Sequence, residues 1–309
     1  MKNAIYVPAV AASEWIREIL PNLGQAQLPV AGKRLVDFSI EQAQRGGVNI
    51  AEVLDWHWSE AIHKDFADLT HCAIPVFYAK GEGPVPRGLD DLEKVSSPLT
   101  QSIDDGLYVV WGMYLWHGDL ADGQKLELLT PEECADTPQG VYKRIDGKWM
   151  RIVHDAIDIR DVKSWHAANL TILHEPGDFT LPGYSAERDV HLGRNVVLEH
   201  GVDAKPPVLM QDGSWCARNV ELAGDVIIGN GSFIGEGARL RRTVVGDDTY
   251  IGLGLELVDK IVIGQRIIDV QTGAWMDVEE PGLARRIGGA WGWLRKLIDF
   301  LHGKSKGRR

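Results

Sequence analysis

From about Leu192 onward the chain repeats every six residues, and few folds tolerate that period. Apolar anchors fall at Leu192 and Leu198, then at Cys216, Leu222, Ile228, Ile234 and Leu240. After a slip of one residue they resume at Val245, Ile251, Leu257 and Ile263. The next residue is small at Gly193, Ala217, Ala223, Gly229, Gly235, Gly246, Gly252 and Gly264. Six is out of phase with the α-helical turn and too long for simple strand alternation. It fits a left-handed parallel β-helix of hexapeptide repeats, each hexad giving one short strand and one corner of a three-sided coil. The anchor then points into the prism, and the small neighbour lets the backbone bend at the corner. This reading covers residues 181–280. The stretch Asp203–Trp215 (DAKPPVLMQDGSW) breaks the series and is expected to be an irregular coil or a loop thrown out from one. Coil ends leave strand edges unpaired, so self-association through residues 190–270 is expected.

Charge is distributed unevenly. The net charge is -11, residues 281–309 carry +7 from eight Lys/Arg and one acid, and the rest of the chain therefore carries -18. An acidic body argues against nucleic acid as a partner. Cys72, Cys134 and Cys216 stand far apart with no CxxC, which suggests neither a zinc site nor a disulfide framework. The opening MKNAIYVPAVAASEW does not read as a secretory signal, and no apolar run is long enough to span a bilayer. The chain is expected in the cytoplasm.

The segment 1–180 reads as a doubly wound α/β domain. An apolar run, AIYVPAV, is followed by a helical stretch, SEWIREIL. A second helical segment, VDFSIEQAQRGGVNIAEV, ends at Gly46-Gly47 and leads into a strand. The residues LPVAGKRLVDFSIEQAQRGGV resemble a segment of sugar-nucleotide pyrophosphorylases (NDP-sugar nucleotidyltransferases) that reads roughly PKPLLPVAGKPLIEYVLE. Further similarities follow in chain order. Ile74–Leu92 looks like the strand and glycine loop before the family's PLGTAGAL motif, with Gly81, Gly83 and Gly88 as candidate ligand contacts. Gly106–Trp116 sits where the family has an apolar strand ending in Gly-Asp. Gly140–Ile152 looks like its hairpin, and Ala156–Leu173 like its closing D-x-G-T segment. With the coils behind it, the resemblance runs from residue 1 to about 280.

The departures bear on activity. Where the family has L-A-G-G-x-G-T-R, whose amides hold a triphosphate, this chain has VPAVAASEW without a glycine. The activating lysine of P-K-P-L-L-P-V is replaced by Gln27 or Ala26. The magnesium aspartate of Gly-Asp becomes Met113, which cannot ligate a hard cation. Asp158 matches the second metal aspartate, and Asp119 is a weaker substitute for the first. Each loss costs orders of magnitude in rate, so the resemblance implies a degenerate, non-catalytic or weakened member without a resident cofactor. A sugar or nucleotide-sugar is the ligand expected of the remnant cleft. The alternative is an active sugar-1-phosphate nucleotidyltransferase, which would need magnesium. Hexapeptide coils also occur in acyltransferases, which need a general base; His200 or His191 are the candidates for acyl transfer to a sugar nucleotide.

Residues 283–301, LARRIGGAWGWLRKLIDFL, show helical apolar spacing. Trp291, Leu294, Leu297 and Ile298 fall on the apolar face, and Trp293 widens it. Arg285, Arg286, Arg295 and Lys296 lie mainly off that face. Three glycines weaken such a helix by roughly 1 kcal/mol each, so it should fold on an interface. The expected partner is an anionic membrane surface or a membrane-bound glycosyltransferase or synthase. Together with the family resemblance, this implies an accessory or scaffold in surface or exopolysaccharide biosynthesis, peripheral on the inner face of the cytoplasmic membrane.

Overall fold

The computed structural model describes residues 3–8, 10, 14–21, 23–56, 74–95, 106–117, 125–177, 179–187 and 189–287. The chain divides into two compact units. One comprises Met1–Ala168 with Gly177–Phe179, the other Asn169–Pro176 with Thr180–Arg309.

The first unit is built on a seven-stranded sheet in the order Val76–Lys80, Ile50–Asp55, Asn3–Val7, Leu107–Trp111, Gly140–Ile145, Lys148–Ile152, Leu126–Leu128. The first four strands are parallel and the last three antiparallel. The central strands read as near-continuous apolar runs because both faces are covered. Ile5, Val7, Leu54, Val109 and Trp111 fill one side, with Leu89 and Leu92 packed among them. The helix Leu35–Arg45 buries Leu35, Val36, Phe38, Ile40 and Ala43. It begins where Asp37 accepts the Arg34 amide at 3.2 Å, and it ends at Gly46, with Gly47 at φ +77°. The strand Ala156–Asp158 leads into the helix Val162–His174, whose residues up to Ala168 belong to this unit. Asp161 caps that helix by accepting the Ser164 amide at 2.7 Å, while Ser164 Oγ accepts the Asp161 amide at 2.9 Å.

The second unit is rich in short parallel strands, and the hexad reappears in its register. Val190 pairs with Val208 and Val208 with Val226, so each level lies three hexads along the chain from the last. The same step joins Val197 to Trp215 and Asp203 to Glu221. Val208, Met210, Cys216, Leu222, Val226, Ile228, Ile234, Leu240, Val245 and Ile251 form one interior cluster, as the anchor pattern requires. The corners repeat too. Left-handed backbone occurs at Asp189, Asn195, Gly201, Gly213, Asn219, Asp225, Gly231 and Gly237, all in phase with six. The slip of one residue lies just before Arg242 (φ +43°), after which the step is shorter by that residue, as in Val226 to Thr243.

Two expectations need correction here. Asp203–Trp215 is not thrown out: Asp203–Lys205, Val208–Met210 and Trp215–Cys216 are strands in the common register. Val208 and Met210 fill the interior slots, which outweighs the loop-like appearance of Pro206 and Pro207. Nor do residues 284–286 start a helix. They form a strand antiparallel to Thr249–Ile251, with Ala284 closing the interior.

Candidate functional site

In an open parallel sheet, ligands bind beyond the carboxyl ends of the strands where the strand order reverses. From Asn3–Val7 the chain steps outward to Ile50–Asp55 and Val76–Lys80, then returns to Leu107–Trp111 on the other side. The reversal therefore lies between Val7 and Trp111. There Gly112 donates to the Val7 carbonyl at 2.8 Å, with φ +84°. A Cβ on Gly112 would stand 2.5 Å from the Gln139 carboxamide, so a side chain is excluded. Gln139 ties the next segment down: its Oε1 accepts the Met113 amide at 2.6 Å, and its Nε2 donates to the Ile159 carbonyl at 3.3 Å.

A two-stranded sheet follows, Tyr114–Trp116 against Ala156–Asp158. Tyr114 stands directly opposite Asp158, so both project from one face with Trp116. His154 packs there, its ring 6.2 Å from both the Trp116 and Tyr114 rings. Burial, reinforced by Arg151, pushes the His154 imidazole down to about 4, so it is neutral at physiological pH. Burial likewise raises the Tyr114 phenol. Both nitrogens of His154, Trp116 Nε1 and Asp158 Oδ1 are buried without a hydrogen-bond partner among the described residues. The other carboxylate oxygen of Asp158 accepts from Arg160 Nε at 2.6 Å. A neutral imidazole, an indole N–H and one carboxylate oxygen thus sit on or beside this small sheet with unused hydrogen-bonding capacity, near the guanidinium groups of Arg151 and Arg160.

Among the described residues the donor set does not suit a magnesium ion. Met113 is fully buried, and Asp158 is already engaged by Arg160. Among the described residues no group of three or more His, Cys, Asp or Glu could hold a metal. Counting back from Leu28-Pro29-Val30 puts the motif's lysine at Gln25, rather than at Gln27 or Ala26. Gln25 is buried, and its Oε1 has no hydrogen-bond partner among the described residues.

Two of the three glycines singled out from sequence have packing reasons. A Cβ on Gly81 would enter the Trp56 ring, and one on Gly88 would meet the Cys134 carbonyl. Gly83 has a positive φ in open space. His191 is half-buried in the strand Val190–Leu192, and His200 is exposed at a corner. No hydrogen bond or ion pair joins either imidazole to another side chain among the described residues. Arg285 lies over the Tyr250 ring at 4.7 Å, and Arg286 belongs to the same strand. Asp119, Trp291, Trp293, Leu294, Arg295, Lys296, Leu297 and Ile298 lie outside the described residues. No helix among the described residues is long and apolar enough to cross a membrane. His154, Trp116, Tyr114 and Gln139 carry no sequence signal, since no motif joins segments so far apart.

These features describe a mixed α/β unit consistent with a nucleotidyltransferase-like domain, followed by a β-rich region. No family model matches the chain. Over 195 residues it is 29% identical to a UTP–glucose-1-phosphate uridylyltransferase of Synechocystis sp., in an alignment covering 61% of this chain and 47% of that protein. The chain thus spans about half the length of that relative. The similarity supports a relationship with sugar-nucleotide pyrophosphorylases.

Proposed function

We propose that this protein is a sugar-nucleotide pyrophosphorylase relative that holds a sugar or nucleotide-sugar at the His154 cluster, with phosphoryl transfer weakened or lost. The observation that carries this reading is the set of unpartnered atoms at His154, Trp116 and Asp158. Two donate, Trp116 Nε1–H and one imidazole N–H; two accept, the other imidazole nitrogen and Asp158 Oδ1. Adjacent hydroxyl groups, each both donor and acceptor, complement that set, and the aromatic rings suit the apolar face of a sugar. The buried Met113 and the Arg160-bound Asp158 favour weak chemistry over turnover. In this reading the parallel strands are a left-handed β-helix, and the protein serves surface or exopolysaccharide biosynthesis as an accessory at the membrane. Residues 288–309 would dock there, so deleting them should release the protein from anionic vesicles.

Calorimetric titration with nucleotide-sugars and sugar phosphates, without magnesium, tests the site. Binding should weaken about tenfold or more in His154→Ala, the scale of one good hydrogen bond to a charged or buried group. Equal affinities in both proteins would refute the placement. The second reading, an active sugar-1-phosphate nucleotidyltransferase, draws on the named activity of the Synechocystis relative. It requires pyrophosphate release from a nucleoside triphosphate and a sugar 1-phosphate, and measured turnover would favour it.

A further inference from the structure

Where the chain enters the parallel stack, a hairpin precedes the first coil and a hollow opens beside it. The strand Tyr184–Glu187 runs antiparallel to Val190–Leu192, with Tyr184 opposite Leu192. The next corners rise one above another. The Gly213 amide donates to the Arg194 carbonyl at 2.8 Å, and the Gly231 amide to the Asp212 carbonyl at 2.9 Å. Arg194, Asp212 and Asn230 therefore stand on three successive levels, about 4.8 Å apart. Among the described residues, a half-open cavity of about 440 Å³ is lined by this ladder together with Pro182 and Tyr184. Gly183 and Gly193 border it too. A Cβ on Gly183 (φ +84°) would stand 2.6 Å from the Leu192 carbonyl oxygen, and one on Gly193 2.5 Å from the Asp212 amide nitrogen. Neither position can send a side chain into the space.

The lining selects a ligand by charge and by hydrogen-bonding pattern. Arg194 holds Asp212 through Nε at 2.9 Å and Nη2 at 2.7 Å, so one cation and one anion offset each other at the first two levels. An incoming phosphate would face Asp212 and an incoming cation would face Arg194, so neither sign is preferred. Polar capacity nevertheless remains. The Arg194 side chain is 85% exposed, and its Nη1 has no acceptor among the described residues. Asn230 donates from Nδ2 to Asp247 at 3.2 Å, while its Oδ1 accepts no hydrogen bond among the described residues. Guanidinium, carboxylate and carboxamide side by side present donors next to acceptors, which adjacent hydroxyl groups, each both donor and acceptor, complement. Tyr184 is 59% exposed and offers an aromatic face to the C–H groups of a sugar ring. We propose that this cavity binds a neutral saccharide, one or two rings of an oligosaccharide whose remainder leaves through the open side. Its volume falls within the about 300–1,000 Å³ of small-ligand sites. The site belongs to the second unit and stands whether or not the His154 cluster holds a ligand.

The test is saturation-transfer NMR on the full-length protein with the uncharged trisaccharides maltotriose, cellotriose and laminaritriose, followed by titration of the best of them. Transfer to at least one is expected, with a dissociation constant of roughly 1 mM. Tyr184→Ala should weaken binding about tenfold or more, because the ring face is lost. Tyr184→Phe keeps the ring and should stay within about threefold of the wild type, which separates lost stacking from misfolding. His154→Ala should bind as the wild type does, and inorganic phosphate at about 20 mM should not compete. Absence of transfer to all three probes would overturn the proposal, as would equal affinity in Tyr184→Ala. Loss of binding in His154→Ala with Tyr184→Ala unaffected would put the saccharide in the first unit instead. Displacement by phosphate would mean that Arg194 serves an anion and would overturn the neutral ligand.

Discussion

The two units differ most in how completely their buried polar groups are matched. In the parallel stack, Ser232 donates to the Gly246 carbonyl at 2.7 Å and accepts the Thr249 amide at 3.0 Å. Thr243 donates to the Leu257 carbonyl at 3.0 Å, and Thr249 accepts the Gly264 amide at 2.9 Å. Corner carboxylates are equally engaged, Asp212 by Arg194 and Asp247 by Asn230. Asp225 Oδ1 has no hydrogen bond of good geometry, yet it faces His174 in an ion pair. In the first unit, by contrast, His154, Trp116, Asp158, Gln25 and Gln42 all hold buried polar atoms without hydrogen-bond partners among the described residues. A matched interior reads as scaffold. An unmatched one is where a protein keeps capacity for something else, because leaving such atoms bare is costly.

The contrast predicts opposite responses to mutation. The largest effect belongs to the stack: Leu222→Ala, at a fully buried interior position, should lower stability by about 2–5 kcal/mol in denaturant unfolding. A loss below about 1 kcal/mol would mean the stack tolerates cavities and is not the rigid partner. At the cluster, removing unmatched polarity should help. His154→Phe should stabilise the protein by about 1–2 kcal/mol while abolishing ligand binding.

The same variant sharpens the pH behaviour. The folded imidazole titrates near 4, below its ordinary 6.5, so the unfolded chain binds the extra proton first as pH falls. His154 is neutral in both states above about 6.5, and its contribution is then undiminished. Stability should decline from there towards 4 in the wild type and decline less in His154→Phe. Because the ring is part-exposed, the difference should be about 1 kcal/mol rather than the full linkage value. Identical pH profiles would show that the ring is solvated.

The smallest effect is expected at the surface of the stack. Arg266 pairs with Asp277 at 2.6 Å and lies 3.9 Å from the Trp275 ring centroid. Arg266→Ala should cost about 1 kcal/mol or less, with a loss that shrinks at high salt. A larger cost would mean that this cross-strand pair, and not interior burial alone, holds that end of the stack together.

The stack is legible in the sequence because its determinants are local. Anchor, small neighbour and corner recur within each hexad, so the pattern survives without knowledge of the fold. It misleads at Pro206-Pro207, where composition resembles a loop while Val208 and Met210 keep the interior filled. It misleads again at Arg285 and Arg286, where helical spacing loses to pairing with Thr249 and Tyr250. The central α/β order and the helix end at Gly46 are legible for the same local reason. The cluster is not, since Tyr114, Trp116, His154 and Asp158 meet only through the pairing of Tyr114–Trp116 with Ala156–Asp158. Along the chain Met113 and Asp158 look like a broken metal pair, yet the residue across from Asp158 is Tyr114.

The row from Val197 through Trp215, Phe233 and Tyr250 to Arg285 crosses five strands. Adjacent strands lie about 4.8 Å apart, so the row spans roughly 19 Å. Each level repeats the register of the one beneath, in steps of 18 residues that shorten to 17 where Arg242 takes up the corner, so only a change absorbed at a corner leaves the interior side chains inward. The stack is therefore a ruler with fixed graduations. A duplicated level would lengthen the stack by one graduation of about 4.8 Å.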